Sequence, residues 1–177
     1  CDMKGRVKNV SLQLRKGEIV GLTGVVGAGR TEFVRCIFGI DKRKSGKVFV
    51  HEKEIKNLTI KNAIKAGIGF VPEDRKYDGL ILEESIADNI SLVLQNMQKN
   101  FMISKKKSVQ DTKKMQKELN IKMGRYYDAC DSLSGGNQQK VLLGKWMLME
   151  PEILINDEPT RGIAISSKAE IYSIINE

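Results

Sequence analysis

The chain has 177 residues, 41% hydrophobic and 29% charged, which suffices for one sizeable core and excludes a wholly disordered polymer. Its net charge of +8 permits an anionic partner such as nucleic acid or a membrane surface. No apolar run approaches the roughly 18 residues of a membrane span, no basic-plus-apolar leader is visible, and Cys1, Cys36 and Cys130 suit neither a disulfide framework nor a zinc site. A reducing cytoplasm is the expected setting, and any membrane role is expected to act through a partner.

Val10, Leu12 and Leu14 alternate with Ser11, Gln13 and Arg15, the period-2 pattern of a half-buried strand, and Lys16-Gly17 then turns the chain. Ile19-Val20-Gly21-Leu22 is a continuous apolar run that predicts a strand buried on both faces and leads into a glycine-rich loop. A helix carrying Phe33, Val34, Ile37 and Phe38 is expected to end near Gly39. Lys47 to Val50 and Glu54 to Leu58 read as short strands around a polar turn containing His51. Ile60 to Ala66 reads as a helix reaching Gly67, and Ile68-Gly69-Phe70-Val71 as a strand stopped by Pro72.

From Ser85 to Met123 the pattern is helical. Phe101, Met102, Met115, Leu119 and Ile121 form an apolar side, and Lys99, Lys105, Lys106, Lys107, Lys113, Lys114, Lys117, Lys122 and Arg125 outnumber Asp111 and Glu118. A solvated lysine face is preferred there over a nucleic-acid groove. Asn137 to Met149 is expected to be helical, Ile153 to Asn156 a buried strand, and the last helix carries Ala169, Ile171, Ile174 and Ile175. Alternating strands and helices with a helical insert predict an α/β fold with a mainly parallel core sheet, a small antiparallel β region and a helical subdomain. Residues 1–72 and 141–177 are expected to form the core and 73–140 the helical subdomain, the whole reading as a fragment truncated at both ends.

Gly24-Val25-Val26-Gly27-Ala28-Gly29-Arg30-Thr31 follows a predicted strand and opens a helix, the context of a phosphate-binding loop. Glycines let successive N–H groups and the helix start point at phosphate oxygens, and Thr31 offers a hydroxyl to Mg²⁺. Arg30 stands where that motif has lysine; a planar fork keeps the charge but does not fill the place of a compact ammonium. A plain glycine turn packing a helix on a strand is the other reading of this segment. Asp157 and Glu158, ending the run Ile153-Leu154-Ile155, suit an acidic pair in which Asp157 holds Mg²⁺ and Glu158 orients or deprotonates water. A solvated turn before Pro159 is the bland alternative. Asn156 occupies what should be the last apolar position of that strand, at a cost of about 1–3 kcal/mol if buried without a partner.

The loop at Gly24, the segment Leu133-Ser134-Gly135-Gly136-Asn137-Gln138-Gln139-Lys140 and the Asp157-Glu158 pair, in that order, resemble the ATP-binding cassette ATPases. A narrower likeness is carried by Gly27 to Glu32, Val71-Pro72-Glu73-Asp74-Arg75-Lys76, Asn137 to Lys140 and Asp157-Glu158-Pro159-Thr160-Arg161-Gly162. These are similar to the second, C-terminal nucleotide-binding domain of the fused ATPase subunits of bacterial ribose-, galactose- and xylose-type importers. The resemblance implies an ATPase binding ATP through Gly24, Gly27, Ala28, Gly29, Arg30 and Thr31, with Glu158 catalytic and Thr31, Asp157 and Glu73 toward Mg²⁺. It implies that Leu133, Ser134, Gly135, Gly136, Asn137 and Gln138 complete the ATP site of a second cassette, fused upstream. Membrane permease subunits, an indirect periplasmic or extracellular sugar-binding protein and a place at the cytoplasmic face of the membrane follow from the same likeness.

Arg30, and Glu73 in place of the usual glutamine, are features of that subfamily. Ala164 departs from its usual aspartate, no aromatic precedes Phe33, so an adenine-stacking residue is expected either to be missing or to lie upstream of Cys1, and His51, in an early polar turn, does not replace a switch histidine. Arg30, Asn156 and Ala164 motivate two finer readings, a degenerate second ATP site and a nucleotide-binding regulatory module with little turnover. A soluble cassette ATPase acting on nucleic acid rests only on the positive charge, and nucleic acid is not an expected partner.

Overall fold

The computed structural model describes residues 7–98 and 104–176, so Cys1, Lys99, Phe101 and Met102 lie outside the described residues. The chain divides into two compact units, one up to Ile68 and one from Gly69.

In the first unit, helix α1 spans Arg30–Phe38 and buries Val34, Cys36 and Phe38; Gly39, in the left-handed region, ends it by donating to the Arg35 carbonyl. Strands β1 (Phe49–Val50) and β2 (Lys53–Glu54) pair antiparallel, Phe49 opposite Glu54 and Val50 opposite Lys53. His51 and Glu52 turn the chain between them with φ of 47° and 62°, the backbone of a type I′ hairpin. The expected strand from Glu54 to Leu58 is therefore shorter and starts earlier. Helix α2 (Ile60–Lys65) is capped by the Thr59 hydroxyl, which accepts from the Asn62 N–H at 3.3 Å.

The two strands expected before the glycine loop are not present: among the described residues none from 7 to 29 is in a strand. Val10, Leu12 and Ile19 are 51%, 48% and 67% exposed, against the half-buried and doubly buried faces expected. The turn at Gly17 does form, with the Glu18 N–H donating to the Arg15 carbonyl at 3.1 Å. A strand is a paired state, and apolar alternation names the face to be covered without supplying the neighbour that covers it.

In the second unit, β3 (Ile68–Val71, whose first residue belongs to the first unit) pairs with β4 (Ile153–Asn156). Gly69 lies against the Leu154 side chain, and the Asp157 N–H donates to the Val71 carbonyl at 2.9 Å, so the pairing advances in one direction on both strands, as in a parallel pair. All of β3 is buried, whereas β4 is half-buried along its length rather than buried as expected. A π-helical turn, Arg75–Gly79, follows Pro72, with the Asp74 carboxylate accepting from the N–H groups of Lys76 and Tyr77.

The segment from Ser85 resolves into α3 (Ile86–Met97) and α4 (Lys105–Glu118). Helix α3 packs on α4 and on α5 (Gly135–Met147), and α5 also meets α6 (Ile165–Asn176). The core of this unit comprises Ile86, Ile90, Met115, Leu119, Ile121, Val141, Leu142 and Leu143. Lys105, Lys106, Lys107, Lys113, Lys114 and Lys117 of α4 all face solvent. Buried Asn89 is satisfied locally: its carboxamide accepts from the Ile81 N–H at 2.9 Å and donates to the Ile81 carbonyl at 2.8 Å.

Candidate functional site

The glycine loop curls tightly into α1. The Ala28 N–H donates to the Val25 carbonyl at 3.1 Å, and a Cβ on Gly24 would meet the Ala28 methyl at 3.1 Å. Gly27 and Gly29 sit at φ of 80° and 87°, backbone that only glycine adopts without strain. Gly29 is the N-cap of α1 and brings no side chain to it, so only backbone stands at the helix start. The loop apex, Val25 and Val26, is 80% and 97% exposed, and Arg30 and Thr31 are half-buried on the first turn.

The acidic pair belongs to the second unit. Asp157 is 7% exposed, its backbone fixed to β3, while the next residue, Glu158, is exposed in the left-handed region at φ 45°. A non-glycine residue held there stores about 1–3 kcal/mol, and such strain collects at functional positions. The Arg161 N–H donates to the Glu158 carbonyl at 3.0 Å and closes the turn. Asn156 Oδ1 is buried with no hydrogen-bond partner, the situation that its place in an apolar strand foreshadowed.

Leu133 and exposed Ser134 lead into α5, which no side chain caps. Ser134 Oγ accepts from Asn137 Nδ2 at 3.0 Å, and Asn137 Oδ1 accepts from the Lys122 N–H at 2.8 Å, so the serine oxygen that would cap the helix is engaged elsewhere. The glycines allow close approach. A Cβ on Gly135 would lie 2.8 Å from Arg75 Nη2, and one on Gly136 would lie 2.7 Å from Ser167 Oγ. Gln138 is buried, its carboxamide oxygen toward Arg75 Nε at 3.3 Å and its nitrogen donating to the Cys130 carbonyl at 3.4 Å. Glu73, expected toward a metal, forms an ion pair with Arg161.

The profile of the ABC transporter family, described by those words, matches residues 7–161. The chain belongs to that family. It is 46% identical over 175 residues to the ribose import ATP-binding protein RbsA of Bacillus cereus, covering 98% of this chain and 35% of that protein. It is 48% identical over 171 residues to the RbsA of Streptococcus agalactiae, covering 96% of this chain and 35% of that protein. The chain thus spans about a third of the length of these relatives. The dimeric cassette MJ0796 bound to ADP and Pi superposes with a TM-score of 0.80 at 23% identity, over 96% of this chain and 73% of that one. The cbiO1 protein of Clostridium perfringens, part of a cbiONQ transporter complex, gives 0.75 at 24%, over 97% and 66%. The cassette fold expected from the three motifs is the fold of this ABC-family chain.

Arg75, Arg161 and Lys140 carry interactions to which sequence reasoning gave no role. Lys140 Nζ, 2% exposed as a residue, donates to the Asn120 carbonyl at 2.9 Å and to Glu170 Oε2 at 2.6 Å, tying α5 to α6. That contact holds the Glu170 carboxyl below its usual pKa. The only sequence signal was a cation inside an otherwise polar motif, which does not reveal its acceptor.

Proposed function

We propose that this chain is the second nucleotide-binding domain of a monosaccharide importer, binding ATP and hydrolysing it in concert with a cassette fused upstream. The loop from Gly24 to Gly29 and the start of α1 hold phosphate, Arg30 supplies positive charge, and Glu158 takes the proton of the attacking water. Mg²⁺ takes hard oxygen ligands, and the Thr31 hydroxyl and Asp157 carboxylate are such donors. Bound there, it would offset charge on the phosphates. Glu73, a third such donor, is paired with Arg161. The domain sits at the cytoplasmic face beneath a permease that receives sugar from a binding protein; among the described residues no helix is long and apolar enough to cross a membrane itself.

One observation carries this reading: a buried carboxylate fixed at a strand end, Asp157, precedes a strained and exposed carboxylate, Glu158. Transfer to water depends chiefly on positioning, and a fixed, buried acid beside a strained, exposed one suits a holding role and a reacting role. Arg30 favours the finer view that the chain's own site is the slower of two, with residues Leu133 to Gln138 completing the partner's site. In the full-length protein with the upstream cassette's own site inactivated, Glu158→Gln is expected to lower the remaining ATP turnover by about 10²–10⁴-fold with nucleotide binding retained. Full turnover in that variant would remove Glu158 from the chemistry.

A further inference from the structure

We propose that Arg75 is a positioning residue for nucleotide hydrolysis, locking the first turn of α5 and the loop after Glu158 into one piece. The inference rests on the hydrolytic reading above and adds a residue that touches neither the phosphates nor water.

All three guanidinium nitrogens are used. Nε donates to Gln138 Oε1 at 3.3 Å, Nη1 to the Arg161 carbonyl at 3.0 Å, and Nη2 to the Gly162 carbonyl at 3.4 Å. Those acceptors lie 63, 86 and 87 residues away, on two segments that a single planar group bridges. Gly135 makes the bridge possible, since any Cβ there would meet Nη2 at 2.8 Å. Gln138 is itself held at its other end by the Cys130 carbonyl, so the α5 side of the bridge is rigid.

The loop side leads back to Glu158. The Arg161 N–H donates to the Glu158 carbonyl, and the Arg161 side chain pairs with Glu73, two residues before Arg75. Glu73 and Arg75 therefore grip the same turn, one by its side chain and the other by its backbone. Glu158 is in a left-handed conformation, and strain of that kind persists only where the surroundings over-determine it. The two grips supply that constraint. Lysine does not replace arginine here, because one ammonium on a flexible stem lacks the spread of three donors in a fixed plane. Arg161 and Gly162 are exposed, so water takes over their carbonyls when Arg75 is removed, and the fold survives its loss.

The test compares wild-type full-length protein with Arg75→Gln and Arg75→Lys. Both variants are expected to lose about 10–100-fold in kcat, as for a displaced catalytic group, with the KM for ATP little changed and no rescue by lysine. Amide exchange in Arg75→Gln is expected to quicken together at residues 135–138 and 160–163 while the α3 and α4 core stays protected. Wild-type kcat in either variant, or exchange rising in only one segment or throughout the unit, would overturn the proposal. If the wild-type protein hydrolyses no ATP, the hydrolytic reading fails, and exchange alone decides whether Arg75 couples the two segments.

Discussion

Leu12 and Leu142 are both leucines in regularly patterned apolar segments, yet Leu12 is 48% exposed and Leu142 is fully buried. The contrast extends to the segments around them. Residues 7–29 keep a turn and a glycine loop without forming a strand, while α3, α4 and α5 bury a continuous set of side chains. A helix satisfies its own backbone and needs neighbours only for one face, whereas a strand needs a partner for its backbone as well as its side chains. The unit that carries the segment from Leu133 to Lys140 is therefore self-sufficient in a way that the apolar segment before the glycine loop is not.

The largest expected effect tests this difference directly. Leu142→Ala removes a fully buried side chain from the centre of α5 and should cost about 2–5 kcal/mol in denaturant unfolding of the full-length protein. Leu12→Ala should cost less than about 0.5 kcal/mol, the range for exposed positions. An equal cost at both would mean that Leu12 is covered in solution, and the contrast would be lost.

The same contrast explains what was legible beforehand. Helices α1 and α2 were readable because their ends are written locally, in Gly39 and Thr59, whereas α5, expected over Asn137 to Met149, runs from Gly135 to Met147, two residues earlier at each end, because its first turn is glycine and its uncapped start leaves no local mark. Strand β3 was readable because its four apolar residues are bounded by Gly67 and Pro72. The strands at Val10 and Ile19 were misjudged because alternation carries no information about the partner. In the candidate site, the glycine loop and the acidic pair were visible as patterns. The Arg75 bridge was not, because its acceptors are one side chain and two backbone carbonyls brought close only by folding.

A smaller effect probes the dry interior of the second unit. Lys145 is 6% exposed, and its ammonium donates to the Gly79 carbonyl. Burial pushes its pKa down from 10.5 to about 8, while the buried Cys130 thiol is pushed up from 9.0 to about 11, by burial first and Asp131 second. Below pH 8 both folded and unfolded chains keep the Lys145 proton, and the folded state bears the full burial penalty. Between about pH 8 and 9 the folded state releases that proton and the unfolded state keeps it, so stability rises with pH, by about 1 kcal/mol. Above pH 9 the unfolded thiol ionises first, and its opposite slope cancels the rise. Lys145→Met should abolish the pH 8–9 rise in unfolding free energy, whatever fixed cost it adds by leaving the Gly79 carbonyl unpaired. A rise of the same size in the variant would show that another group is responsible.

The smallest effect asks whether the two units differ in backbone as well as in coverage. Glu52, in the hairpin between β1 and β2, has φ 62°, and Glu150, shortly after α5, has φ 48°. Relieving a left-handed non-glycine residue gains about 1–2 kcal/mol, and the extra chain entropy of glycine returns about 0.5–1 kcal/mol of it. Glu52→Gly and Glu150→Gly should therefore each stabilise by about 0.5–1 kcal/mol, read from hydrogen exchange of the flanking amides. The second gain is slightly smaller because Glu150 also faces Lys114 at 3.4 Å in an exposed pair of little worth. Matching gains would place the difference between the units in side-chain coverage alone, since the same backbone relief would then have the same value in both. A gain at Glu150 with none at Glu52 would instead show that the hairpin samples other turns, and the first unit would differ from the second in its local backbone too.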